Sequence, residues 1–133
     1  MNIRPRRSAL YMPGSNARAL QKARELSADV LIFDLEDAVA PERKAEAREQ
    51  VCAALAAGGY GRRELLVRAN ALDTPWGEDD LRALAGAGAD GVVLSKVSSP
   101  ADVLHGARLL GECGAPDSLG LWIMAETARC ILD

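Results

Sequence analysis

The sequence predicts an α/β chain in which five βα units with parallel strands build part of a (β/α)8 TIM-type barrel. Three observations predict it. A short apolar run, a polar punctuator and a segment with helical spacing recur five times along the 133 residues. No hairpin signal joins one apolar run to the next, so crossovers join them and the strands are parallel. Polar residues stand at the C-terminal end of nearly every run, and in a barrel those ends converge on one mouth.

The first run, Ser8-Ala9-Leu10-Tyr11-Met12, leads through Pro13-Gly14-Ser15 into a helix expected over Asn16 to Ser27. Ala19, Leu20, Ala23 and Leu26 share one stripe of it, and Ser15 or Asn16 is its cap. The second run is Val30-Leu31-Ile32-Phe33, followed by a helix over Pro41 to Leu55. Pro41 and Glu42 open that helix, Ala45, Val51, Ala54 and Leu55 form its stripe, and Gly58-Gly59 stops it. Leu65-Leu66-Val67 is the third run, with a helix over Trp76 to Ala85, and Gly91-Val92-Val93-Leu94 is the fourth, with a helix over Pro100 to Leu110. The fifth, Leu119 to Met124, is followed by a helix start over Thr127 to Asp133. Apolar residues at consecutive positions suit strands covered on both faces. The first turn is not a G-x-G-x-x-G fingerprint, and no P-loop lysine pattern occurs. A complete barrel needs eight strands and typically about 250 residues. Residues 1–133 are therefore expected to form the N-terminal portion of one barrel domain, either as a fragment of it or with the missing strands supplied from elsewhere.

A hydrophobic fraction of 49% and a charged fraction of 26% suit a globular chain. A formal net charge of −3 provides no basic footprint for nucleic acid. Arg4, Arg6 and Arg7 form one short basic cluster, readable as a solvated terminus. Cys52, Cys113 and Cys130 are odd in number and lack CxxC spacing, which speaks against a disulfide framework or a zinc site. No secretory signal precedes the first run and no apolar stretch reaches about 18 residues. The expectation is a cytoplasmic protein that does not bind membranes.

Chemistry is expected at the strand ends. Asp34, Glu36 and Asp37 place three acids in four positions, costly unless a cation, water or arginine offsets them. They are either part of a site or a solvated turn with a helix cap. Glu126 is either a first-turn acid favoured by the helix dipole or half of a Mg²⁺ site, since Mg²⁺ takes one or two carboxylates plus water and substrate oxygens. Arg68 offers a planar fork to a substrate carboxylate, or an internal ion pair with those acids. Lys96 is a charge partner in preference to a Schiff-base nucleophile. His105, the lone histidine, lies in mid-helix, and its position weakens any Ser-His-Asp reading. Trp76 and Trp122 read as packing residues.

These motifs resemble, in order, those of the citrate lyase beta-subunit family within the wider HpcH/HpaI aldolase group. The segments are Ser8 to Asn16, Phe33 to Val39 with Pro41 and Lys44, Val67 to Asn70, Leu94 to Val97, and Ala125 to Ala128. Ser95 stands where the family usually has Pro, and Met12 and Ala69 are mild variants. The resemblance implies a trimeric, Mg²⁺-binding (β/α)8 barrel. Such a barrel cleaves or forms the bond between an acetyl-type thioester, on CoA or an acyl carrier protein, and an α-keto acid. It implies Glu126 as one of two metal ligands, Arg68 as the holder of the keto-acid carboxylate, and Glu36 and Asp37 lining the metal through water. The Pro13-Gly14-Ser15 turn is implied to lie near the thioester carrier, with Lys96 beside the substrate. The family's second ligand, an aspartate after strand six, and a late acid/base residue have no counterpart within residues 1–133, so these residues alone are expected to be catalytically incomplete. Two other readings stay open: a pyruvate-type class II aldolase that ignores CoA, and a non-catalytic half-barrel that only oligomerises or binds a partner.

Overall fold

The structure, a computed structural model, describes residues 4–132. Five strands form one parallel sheet in the order β1 (Ala9–Pro13), β2 (Val30–Asp34), β3 (Glu64–Ala69), β4 (Gly91–Leu94) and β5 (Gly120–Ile123). The crossovers carry α1 (Ala17–Lys22), α2 (Lys44–Ala57), α3 (Gly77–Leu84) and α4 (Pro100–Glu112), and α5 (Ala128–Leu132) follows β5. Spatial order equals chain order, so the sheet is singly wound. A doubly wound sheet would reverse its order at a switch point.

Burial separates the two faces. Leu31, Phe33, Val67, Val92 and Leu94 pack with Leu20, Val51, Leu55, Leu81, Leu84 and Leu109 of the helices in one cluster. Val30, Ile32, Leu66 and Val93, with Trp122 and Met124, form a second cluster that contains no helix residue. All helices thus lie on one side, and the other face is the barrel interior.

The central strands are covered on both faces, as their continuous apolar runs demand. The edge strands are not: Leu10, Tyr11 and Ile123 are 38%, 40% and 45% exposed. Their apolar runs belong to strands with a neighbour on one side only among the described residues. The first helix is shorter than its stripe suggests, ending at Lys22, with Ala23 as its C-cap. Asn16 caps it, its Oδ1 accepting from Ala19 N at 3.0 Å. Pro41–Arg43 form a 3₁₀ turn before α2. The buried stripe of α2 runs through Lys44, Ala47, Val51 and Leu55, so Ala45 points outward. Asp133, the end of the last expected helix, lies outside the described residues.

The N-terminal arginines are exposed, as a solvated terminus would be, but each is also ion-paired to the sheet. Arg4 pairs with Asp90 at 3.0 Å, Arg6 with Glu64 through two bonds, and Arg7 with Asp29 through its guanidinium and backbone N–H. The three arginines therefore tie down the starts of β2, β3 and β4, and Arg6 lies 4.9 Å over the ring of Trp122 of β5. The Arg7 bonds, foremost those of its guanidinium, hold the Asp29 carboxyl down at about 2.

Gly77 opens α3 where no side chain fits. A Cβ there would stand 2.2 Å from Ala71 O and 2.7 Å from Ala71 C, both backbone atoms. Gly77→Ala is expected to lower stability by about 2 kcal/mol through this overpacking. The urea midpoint checks it, and an unchanged midpoint would mean that the loop after β3 yields freely.

Candidate active site

The register sets the site. Asp34 at the end of β2 is the partner of Arg68 on β3, and both point to the interior face. Arg68 Nε and Nη2 donate to Asp34 Oδ1 and Oδ2 at 2.8 and 2.7 Å. The same carboxylate accepts from the backbone N–H of Glu36 and Ala38 at 2.9 and 3.0 Å. Asp34 therefore fixes the guanidinium plane and folds the acidic loop in one arrangement. Burial alone would raise its carboxyl, but the Arg68 bonds and the two N–H donors more than offset that and hold it below the usual range. The partner Arg68 is pushed up, first by its bonds to Asp34. Tyr11 of β1 stacks 4.8 Å from the guanidinium carbon.

Asp34 is thus an anchor, and Glu36 and Asp37 are the acids that face the site. Arg68 Nη1 lies 3.3 Å from Glu36 and 4.0 Å from Asp37. The internal ion pair open to Arg68 in the sequence is present, and one edge of the fork is committed to Asp34. Beneath the loop, Lys44 is buried, a position its sequence does not announce. Its Nζ donates to Leu35 O and Glu36 O at 3.1 and 2.7 Å and lies 5.4 Å over the Trp76 ring.

Lys96 follows β4. Its Nζ stands 3.5 Å from Glu36 Oε1, 3.5 Å from Asp37 Oδ2 and 3.6 Å from Glu126 Oε1. Its backbone N–H donates to Glu126 Oε1 at 2.9 Å. Partial burial disfavours the ammonium, but Glu36, Glu126 and Asp37 outweigh this and raise the lysine above its ordinary range. It remains a cation at neutral pH.

The Pro13-Gly14-Ser15 turn abuts the same end of the sheet, with Gly14 N donating to Asp34 O at 2.8 Å. A Cβ on Gly14 would meet Asp34 O at 2.8 Å, so close packing against β2 requires glycine here. Ser15 O accepts from Arg43 Nη2 at 3.0 Å. His105 lies apart, on α4, with Nε2 3.3 Å from Glu78.

The donors around Lys96 Nζ suit a hard divalent cation. Three carboxylates, Glu36, Asp37 and Glu126, face one ammonium, which leaves a formal surplus of two negative charges. Arg68 and Asp34 cancel each other. All the donors are oxygen, as Mg²⁺ requires. Among the described residues no group of three or more His, Cys, Asp or Glu is arranged to hold a metal. Mg²⁺ needs only one or two protein carboxylates, so the set fits a half-site completed by water and substrate. No helix among the described residues is long and apolar enough to cross a membrane.

Sequence reasoning missed Asp80, which is fully buried. It accepts from Arg48 Nε at 2.7 Å and from Asn70 N and Nδ2 at 2.9 and 2.6 Å. It secures the loop after β3, next to Arg68. In the sequence it is one of three consecutive first-turn acids of α3, and only helical phase could have separated it from Glu78 and Asp79.

Known proteins are similar to this chain in sequence and, for one solved structure, in fold. (3S)-malyl-CoA thioesterase of Cereibacter sphaeroides (strain ATCC 17025) is 50% identical over 129 residues, which cover 97% of this chain and 43% of that protein. Citrate lyase subunit beta of Escherichia coli (strain K12) is 43% identical, over 93% of this chain and 43% of its own. The citrate lyase beta subunit of M. tuberculosis, solved with oxaloacetate and magnesium, superposes with a TM-score of 0.70 at 32% identity. That superposition covers 96% of this chain and 52% of the other. The chain spans less than half the length of the curated relatives it matches. The model of the HpcH/HpaI aldolase/citrate lyase family matches residues 7–133, and the chain belongs to that family.

Proposed function

We propose that these residues form the N-terminal portion of a single barrel domain in a Mg²⁺-dependent carbon–carbon lyase. Its substrate is a malyl- or citryl-type thioester of CoA or an acyl carrier protein, cleaved to an acetyl-type thioester and an α-keto acid. The carrying observation is the cluster at the barrel mouth, where three carboxylates with a formal surplus of two negative charges lie beside an arginine fixed in place by Asp34. Family membership and the oxaloacetate and magnesium bound to a relative support it.

In this reading Glu126 ligates the metal, and Glu36 and Asp37 line it through water. When bound, Mg²⁺ polarises the carbonyl oxygen of the keto acid. Arg68 receives the keto-acid carboxylate on the guanidinium edge that Asp34 leaves uncommitted. Lys96 supplies positive charge beside the substrate. As the bond breaks, its electron pair passes to the acetyl-type thioester as an enolate, which fixed positive charge stabilises. The Pro13-Gly14-Ser15 turn borders the thioester carrier. The second carboxylate ligand and the group that moves the hydroxyl proton come from outside residues 1–133. The same proposal includes a cytoplasmic homo-oligomer, a trimer as in the family.

A second reading, hydrolysis of the thioester, is favoured by the higher identity to a malyl-CoA thioesterase, 50% against 43% for the citrate lyase subunit. The two differ in products. Incubation with malyl-CoA and Mg²⁺, with α-keto acid trapped as its phenylhydrazone and free thiol assayed separately, decides between them. Keto acid without thiol supports the lyase, and thiol without keto acid supports the hydrolase. Neither product leaves the non-catalytic half-barrel. Glu126→Gln is expected to lower Mg²⁺-dependent turnover by about 100-fold, and chelation of the metal to abolish it. Full activity in Glu126→Gln would remove Glu126 from the metal site.

A further inference from the structure

Lys96 is the one non-glycine residue with positive φ among the described residues, at 53°. A long side chain rarely adopts that backbone, and it persists only where the surroundings over-determine it. Here the conformation does two things. It directs the Lys96 N–H to Glu126 Oε1 at 2.9 Å, and it coexists with an ammonium shared among Glu36, Asp37 and Glu126. The three ammonium–carboxylate distances are 3.5, 3.5 and 3.6 Å. A committed charge-assisted bond is shorter, about 2.7–2.9 Å. The ammonium sits between three acids and is bound tightly to none.

We infer that Lys96 is a resident counter-ion that competes with the divalent cation for the carboxylates of Glu36, Asp37 and Glu126, and so sets how tightly the metal binds. The inference rests on the proposed role of Glu126 as metal ligand and deepens it. A Mg²⁺ ion sits about 2.0–2.1 Å from its ligand oxygens. Bound to Glu126 and reaching Glu36 and Asp37 through its water shell, it would drive the ammonium off these carboxylates by both its charge and its volume. Metal entry therefore displaces Lys96 Nζ, and Lys96 holds the cluster together while the metal is away. The backbone N–H of Lys96 stays on Glu126 throughout, so the ligand keeps its orientation as the cations exchange.

The test is a calorimetric titration of Mg²⁺ alone into the full chain and its Lys96→Met and Lys96→Arg variants. Met keeps the stem and the N–H to Glu126 but removes the charge, and Arg keeps the charge. Lys96→Met is expected to bind Mg²⁺ about tenfold more tightly, within the range typical of coupled sites, and Lys96→Arg to match the wild type. Equal or weaker binding by Lys96→Met overturns the inference and leaves the metal site standing. An equal gain in both variants also overturns it, since it would trace to packing or backbone and not to charge. Failure of all three to bind Mg²⁺ overturns the inference, while the metal-dependent function is judged separately by the effect of chelation on malyl-CoA turnover.

Discussion

Asp34→Ala is expected to destabilise the fold by about 3–5 kcal/mol, the cost of leaving one partner of a buried ion pair uncompensated. Arg68 would lose both bonds that fix its plane, and the loop carrying Glu36 and Asp37 would lose the acceptor of two backbone N–H groups. Chemical denaturation of the single variant and of Asp34→Ala/Arg68→Met measures this. The double variant should be less damaged than the sum of its parts, because it removes both charges. A loss below about 1 kcal/mol would mean that Glu36, 3.3 Å from Arg68 Nη1, takes over the pairing. The pair also has a pH signature. The folded-state carboxyl of Asp34 lies below its unfolded value of about 3.9. Its contribution is therefore complete above that value and lost as pH falls through the folded-state pKa. The variant should show a shallower acid decline than the wild type.

Asp80→Ala is expected to cost about 3 kcal/mol, or roughly 10 °C in melting temperature. The substitution strands the partly buried Arg48 guanidinium and leaves Asn70 N–H without its acceptor. Because Asn70 follows β3 two residues after Arg68, the loss should reach the mouth of the barrel as well as the helix layer. Thermal unfolding checks the first effect. Faster amide exchange at Asn70, with little change in the β2 core, checks the second. A variant that melts with the wild type would show that water replaces the carboxylate at no cost.

The two acids show where sequence reading stops. Asp34 is legible as one of three clustered acids, but which of them is buried depends on where β2 ends and on its register with β3. That register places Asp34 opposite Arg68 and leaves Glu36 and Asp37 on the loop beyond. Asp80 sits among Glu78 and Asp79 with nothing in its neighbours to mark it, and only the docking of α3 against α2 and the loop after β3 buries it. Lys44 belongs to a recognised motif, but its burial under two carbonyls follows from how that loop closes. The arginines at positions 4, 6 and 7 look like a solvated cluster until the sheet brings Asp90, Glu64 and Asp29 to the same end.

By itself the sequence determined the alternation of five strands and their crossovers, the parallel class, and the polar residue types at each strand end. These depend on local periodicity and on Gly, Pro and capping residues, which act over one turn or one strand. The convergence of those strand ends also pointed to a barrel, and the tertiary structure bears this out with a singly wound sheet and all helices on one face. Only the tertiary structure decided that Arg68 is bound to Asp34, and that Lys96 stands among Glu36, Asp37 and Glu126. Those pairings join residues on different strands and loops, up to 90 positions apart between Glu36 and Glu126. Their geometry is set by register and sheet curvature, which no local pattern encodes.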